Sequence, residues 1–199
     1  MIPIDYAIIA DIIAPGSKVL DLGCGEGDLL ALLKDKNGCR GTGIEIDSKA
    51  VVRCLERGVS VSQGNINGDL GVYDDNRFDY VILNESLQQV LNIEEALDEA
   101  LRVGKRVIVG VPNFCQWKAR LQVFFLGEMP VTERLPYKWY NTPNLRFLSL
   151  QDFRIFCALK KIRIERTRYL ANGQEVYFCT NLLADSGIFV LRRPDTIKT

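Results

Sequence analysis

The sequence predicts an α/β domain with a mostly parallel central sheet, helices on both faces and an antiparallel edge. Three observations lead there. Short apolar runs alternate with helical patterns as far as Pro112, joined by short connections, which is the rhythm of right-handed βαβ crossovers. The run Phe78-Asp79-Tyr80-Val81-Ile82-Leu83 stays apolar after Asp79 without alternating, as a strand buried on both faces does. Residues 19–47 join a strand (Val19-Leu20-Asp21-Leu22) to glycines at 23, 25 and 27, a helical pattern, and a second strand ending Gly43-Ile44-Glu45-Ile46-Asp47. That order is the first half of a nucleotide-binding unit.

Residues 5–14 read as a short helix with Asp5 as N-cap and Ile8, Ile9, Ile12 and Ile13 on one face. Pro15-Gly16 ends it and feeds the first strand, 18–22. The next helix, from about Gly27 to Lys34, buries Leu29, Leu30, Leu32 and Leu33 and closes at Asn37-Gly38. Strand two is 40–45. Ser48 then caps a helix with Val51, Val52 and Leu55 inward, stopped by Gly58. Strand three, 59–63, leads into the turn Gly64-Asn65-Ile66-Asn67-Gly68, and strand four is 78–83. Asn92 caps a helix with Ala96, Leu97, Ala100 and Leu101 inward, and strand five, 106–111, ends at Pro112.

The rhythm changes there. An aromatic helical stretch (Phe114, Trp117, Leu121, Phe124, Phe125) opens a long excursion over 113–148, with Met129-Pro130 and the aromatic loop 136–144 inside it. A connection this long is functional or disordered, and its aromatic content argues for order. A helix over 149–160 and strands over 162–170 and 187–192, pairing antiparallel at the sheet edge, complete one domain over 1–194. Residues 195–199 are expected to fray.

The chain's 199 residues suit one such domain with a full core. A net charge of zero argues against a dedicated nucleic-acid binder. No apolar stretch nears the ~20 residues of a membrane helix, and no basic segment precedes the apolar N-terminus as in a signal peptide. The six cysteines show no metal-type spacing; Cys24, Cys54, Cys157 and Cys179 read as small buried hydrophobes, and a reducing, cytoplasmic location is expected. Histidine is absent, so acid–base chemistry would fall to carboxylates, Tyr, Lys or Cys.

Charge selects the ligand class. A dinucleotide places its pyrophosphate on the helix N-terminus. Here Asp21, Glu26 and Asp28 crowd that place, and the glycine spacing is G-x-G-x-G. Carboxylates there repel pyrophosphate and suit a cation. S-adenosylmethionine, with ammonium and sulfonium charges and no phosphate, fits better, with Glu45 able to accept both ribose hydroxyls.

These residues resemble the Rossmann-like class I S-adenosylmethionine-dependent methyltransferase fold over nearly the whole chain. The resemblance implies a cofactor site, for S-adenosylmethionine or S-adenosylhomocysteine, of Asp21, Gly23, Cys24, Gly25, Gly27, Glu45, Ile46, Asn65, Ile66 and Asn84. In it Asp21 and the glycines flank the methionine part, Glu45 binds the ribose, Ile46 packs on adenine and Asn65 faces the adenine amino group. More narrowly, Leu101-Arg102-Val103-Gly104-Lys105-Arg106, Val111-Pro112-Asn113-Phe114, Met129-Pro130-Val131-Thr132 and Trp139-Tyr140-Asn141-Thr142-Pro143-Asn144 are similar to the MetW family of methionine biosynthesis. That resemblance implies a partner, homoserine O-acetyl- or succinyltransferase, met through the 113–146 excursion with Trp117, Trp139 and Tyr140.

Other readings stay open at this point. Trp139 and Tyr140 are interface residues or folded-in loop anchors, and Glu85 is an exposed helix-start acid or a general base. The protein is an S-adenosylmethionine-binding partner of the acyltransferase or, alternatively, a small-molecule methyltransferase working by proximity. A docking surface leaves Trp117, Phe124, Trp139 or Tyr140 accessible; a lid presents inward polar groups.

Overall fold

A computed structural model describes residues 2–66 and 68–193. Asn67 of the expected turn and the tail 195–199 lie outside the described residues. In chain order come α1 (Ile4–Ile12), β1 (Lys18–Leu22), α2 (Asp28–Asn37), β2 (Arg40–Glu45), α3 (Ser48–Glu56), β3 (Ser60–Gln63), β4 (Phe78–Asn84), α4 (Ile93–Val103) and β5 (Gly104–Pro112). They are followed by α5 (Trp117–Leu126), α6 (Leu150–Leu159), β6 (Arg163–Ala171), the two-residue β7 (Gln174–Glu175), α7 (Thr180–Leu183) and β8 (Ser186–Arg192).

The strands form one sheet in the order β3-β2-β1-β4-β5-β8-β6-β7. The first five run parallel; β8 inserts antiparallel between β5 and β6, and β7 pairs antiparallel with β6. The strand order reverses between β1 and β4, so the crevice at their carboxyl ends is where this architecture takes a ligand. Alternate side chains divide between two cores, as strand geometry requires. Leu20, Leu22, Val81 and Leu83 pack with α4 and α6 on one face, while Val19, Tyr80 and Ile82 pack with α1 and α2 on the other.

Several local expectations are corrected. Pro3, not Asp5, precedes α1; Asp5 sits in the first turn, buried, where its carboxylate accepts a hydrogen bond from Asn84 Nδ2 at 2.8 Å. A tertiary partner took the carboxylate expected to cap the helix. Asp47, extended at ψ 113°, caps α3 by accepting from the Lys49 amide, and Ser48 is already helical. In α3 only Ala50 and Cys54 are buried, while Val52 and Leu55 face outward. The helix lies beside the short, exposed edge strand β3, so a narrow i, i+4 stripe is all that meets the sheet. Leu32 is only partly buried, and Cys179 is exposed rather than buried. Strand β5 extends through Pro112, because the Asn113 amide resumes the pairing by donating to the Asp185 carbonyl at 2.8 Å. Asn92 caps α4 through its side chain, and Ser149 forms a capping box with Asp152 at α6.

Candidate functional site

Gly23, Gly25 and Gly27 all adopt left-handed φ, +77°, +55° and +80°. Residues with a Cβ are strained there, so three glycines let β1 turn sharply into α2. The amides of Gly23 and Cys24 both donate to the Ile44 carbonyl, tying the loop to β2. Glu45 closes it from the other side: Oε2 accepts from the Gly25 amide at 2.8 Å, and Oε1 from the Ile46 and Asp47 amides at 2.8 and 2.9 Å. A carboxylate offers about four lone-pair positions, so three amides leave about one free to face the cleft.

Beside this loop opens a cleft of about 460 Å³. Gly23, Glu45, Ile46, Asn65, Ile66 and Asn84 line it, all anticipated from sequence. Asp21, Cys24, Gly25 and Gly27 stand behind that surface. Asp21 is buried at the end of β1; burial, and then the charge of Glu45, push its pKa up to about 7. The Cys24 thiol is buried against Cys54 and pushed well above the thiol range, chiefly by desolvation, so it is not a reactive thiolate. Gly27 starts α2 and keeps close approach to Cys54 and Val59.

The loop acids divide differently from expectation. Glu26 and Asp28 pair with arginines in and just past α3: Arg57, the residue after the helix, reaches Asp28 at 2.5 Å and Glu26 at 3.3 Å, and Arg53 also pairs with Glu26. Neither acid lines the cleft. Its carboxylates are Glu45 and Glu85, and no Lys or Arg is among its lining residues.

Ser86, Gln89, Val90 and Leu91 also line it and were missed, as were Ile44 and Gly64 at the ends of β2 and β3. The signal of the first four was position alone, directly after the carboxyl end of β4. Glu85 is not an exposed helix-start acid. It is half-buried at φ +55°, with its amide donating to Gly110 O and its carbonyl accepting from Gln88 Nε2 at 2.7 Å. Burial raises its pKa against the opposing pull of Arg134, whose Nη1 lies 2.8 Å from Oε1.

The excursion contrasts with this wall. In α5 only Ala119 is buried. Phe124 is 81 % exposed and Trp139 73 %, with Trp117, Phe125 and Tyr140 also exposed. The segment is nonetheless ordered by its own bonds: Gln122 exchanges two hydrogen bonds with Val131, Thr132 pairs with Leu135, and the Leu145 and Arg146 amides donate to Gln88 O. Trp139 and Tyr140 meet edge to face at 5.7 Å on the surface.

Solved structures share this architecture. A TehB-like SAM-dependent methyltransferase from Corynebacterium glutamicum superposes with TM-score 0.65 at 15% identity, over 98% of this chain and 89% of that one. A SAM-dependent methyltransferase from Thermotoga maritima, a possible histamine N-methyltransferase, gives 0.67 at 18% identity, over 95% and 88%. The chain therefore has the class I S-adenosylmethionine-dependent methyltransferase fold. The family pattern described as methionine biosynthesis protein MetW matches residues 3–191. The bifunctional methionine biosynthesis protein MetXA/MetW of Rhodopirellula baltica is 34% identical over 96% of this chain, which spans 33% of that relative's length. The chain belongs to the MetW family, as its motifs led one to expect, and its role lies in methionine biosynthesis.

Proposed function

We propose that this chain is an accessory protein of methionine biosynthesis that binds S-adenosylmethionine in the cleft and docks onto homoserine O-acyltransferase through the excursion. The observation that carries the partnership is the relative that holds a MetXA part and a MetW part in one chain; the MetW resemblance identifies the first part with the acyltransferase. Joining two modules makes their encounter intramolecular, at effective concentrations of order mM. Exposure of Trp117, Phe124, Trp139 and Tyr140 supports a docking surface, since aromatic residues dominate interface energetics.

The residues of the cleft fit the ligand. Among the described residues it offers two carboxylates and no basic side chain to a molecule with ammonium and sulfonium charges and no phosphate. Glu45 has one acceptor position for a ribose hydroxyl, Ile46 and Ile66 offer apolar surface to adenine, and Asn65 lies on the same wall. Gly23, without a side chain, leaves space that a Cβ would take 3.0 Å from Ser86 Cβ. Asp21, Cys24, Gly25 and Gly27 shape the loop, and Asn84 lines the cleft from the end of β4. The ligand itself supplies an activated methyl group and a fixed positive charge.

The test is homoserine acylation by the acyltransferase, titrated with this purified chain. The expected result is a saturable rise in rate. Trp139→Ala weakens the pair by roughly thirtyfold, as a hot-spot truncation of ~2 kcal/mol does. No rise and no co-purification overturn the partnership. Saturating S-adenosylmethionine that gives no calorimetric binding overturns the ligand reading of the cleft and leaves docking standing.

A further inference from the structure

The cleft wall and the docking excursion share a boundary. The turn over 84–91 supplies Asn84, Glu85, Ser86, Gln89, Val90 and Leu91 to the cleft. Its outer side holds the excursion: Gln88 O accepts the Leu145 and Arg146 amides at 2.9 and 3.1 Å, and Leu91 O accepts from Arg146 Nη2 at 3.0 Å. A second excursion side chain beside Arg146 meets a carboxylate of the cleft. Arg134 leaves the excursion, places Nη1 2.8 Å from Glu85 Oε1, and brings Nε to 3.7 Å from Asp185 Oδ1 beside β8. Next to it Leu135 is buried and faces the same small cavity as Trp139. Leu135 and Trp139 thus share one cavity, which gives a shift of Arg134 a route toward the exposed Trp139–Tyr140 pair.

We infer that the Arg134–Glu85 ion pair is a latch between cleft and excursion, and that a cationic ligand in the cleft competes with Arg134 for the Glu85 carboxylate. The inference rests on the reading of the cleft as an S-adenosylmethionine site and adds how occupancy reaches the partner surface. Among the described residues, Glu85 is the one carboxylate that both lines the cleft and holds the excursion. A positive charge beside it weakens its hold on the guanidinium, because the two cations share one counter-charge. Coupling of this kind is reciprocal: what loosens the latch tightens the ligand.

The chain's two tryptophans, Trp117 and Trp139, both lie in the excursion and neither lines the cleft. In a Trp117→Phe background, emission of Trp139 therefore reports the excursion alone. S-adenosylmethionine is titrated while calorimetry records binding and acrylamide quenching records Trp139. Binding should make Trp139 more accessible to quencher. Arg134→Gln, which removes the competitor, should bind S-adenosylmethionine about fivefold more tightly, the lower range of site-to-site coupling, and should lose the Trp139 response. A merely structural arginine predicts the opposite sign, weaker binding. Arg134→Lys, which keeps the charge without the fork, should fall between the two and carries the test if Arg134→Gln does not fold. Calorimetric binding with no change at Trp139, or weaker binding in both variants, overturns the latch and leaves the ligand site standing. No calorimetric binding to the parent chain overturns the ligand site and the latch together.

Discussion

The glycine-loop half and the excursion spend their apolar residues in opposite ways. In β1 and β4, Leu20, Leu22 and Leu83 are fully buried, and the loop acids Glu26 and Asp28 are paired by Arg53 and Arg57. In α5 and the loop that follows, Phe124, Phe125, Leu126, Trp139 and Tyr140 face outward. Contiguous exposed apolar surface marks an interaction site more often than an accident. The first region is complete within this chain; the second is ordered but uncovered. Stability should therefore be concentrated in one and recognition in the other.

That contrast breaks or sharpens under substitution. The largest effect belongs to Leu83→Ala, at the centre of the sheet, which should cost about 3 kcal/mol in urea denaturation. A loss below ~1 kcal/mol would mean the core repacks and the division is weaker than drawn. Gly23→Ala should come next, at roughly 1–2 kcal/mol for a Cβ at φ +77°, and it should also abolish calorimetric binding of S-adenosylmethionine. Retained binding would detach the loop from the ligand.

Stability should also depend on pH through Asp21. Its carboxyl titrates near 3.8 when unfolded and near 7 in the fold, mainly because burial disfavours the charge. Between those values the folded chain keeps a proton that the unfolded chain has released. This contribution to stability is whole below about pH 4, is lost as pH rises, and is gone above about pH 7. Unfolding curves of Asp21→Asn across that window should lack the slope; an unchanged slope would assign it elsewhere. The smallest effect on stability, within about 0.5 kcal/mol, is expected for Phe124→Ser, while acyltransferase binding falls. If it destabilises the free chain by more than ~1 kcal/mol, α5 is a core helix rather than a docking face.

Much of this was legible beforehand because it is local. Left-handed turns need glycine, so the loop at 23–27 announced itself, and an apolar run without alternation marked β4 as an interior strand. The Asn92 cap follows from a side chain that reaches its own backbone three residues on. Gly23, Glu45, Ile46, Asn65, Ile66 and Asn84 were legible for the same reason, since each sits at or shortly past the carboxyl end of a recognisable strand.

Only the tertiary structure decided the charges. Asp5 meets Asn84 across a sequence separation of 79, Arg57 meets Glu26 across 31, and Arg134 meets Glu85 across 49. Long flexible side chains choose partners by what folding brings within a few ångströms, and composition does not encode that. Edge or centre is likewise a property of the finished sheet, which turned Val52 and Leu55 outward from a helix whose pattern pointed them in. By itself the sequence determined the strands, the turns and the glycine loop, because backbone sterics and side-chain periodicity act over a few residues. Which carboxylates face the cleft, and which aromatics stay uncovered, depends on packing between distant segments.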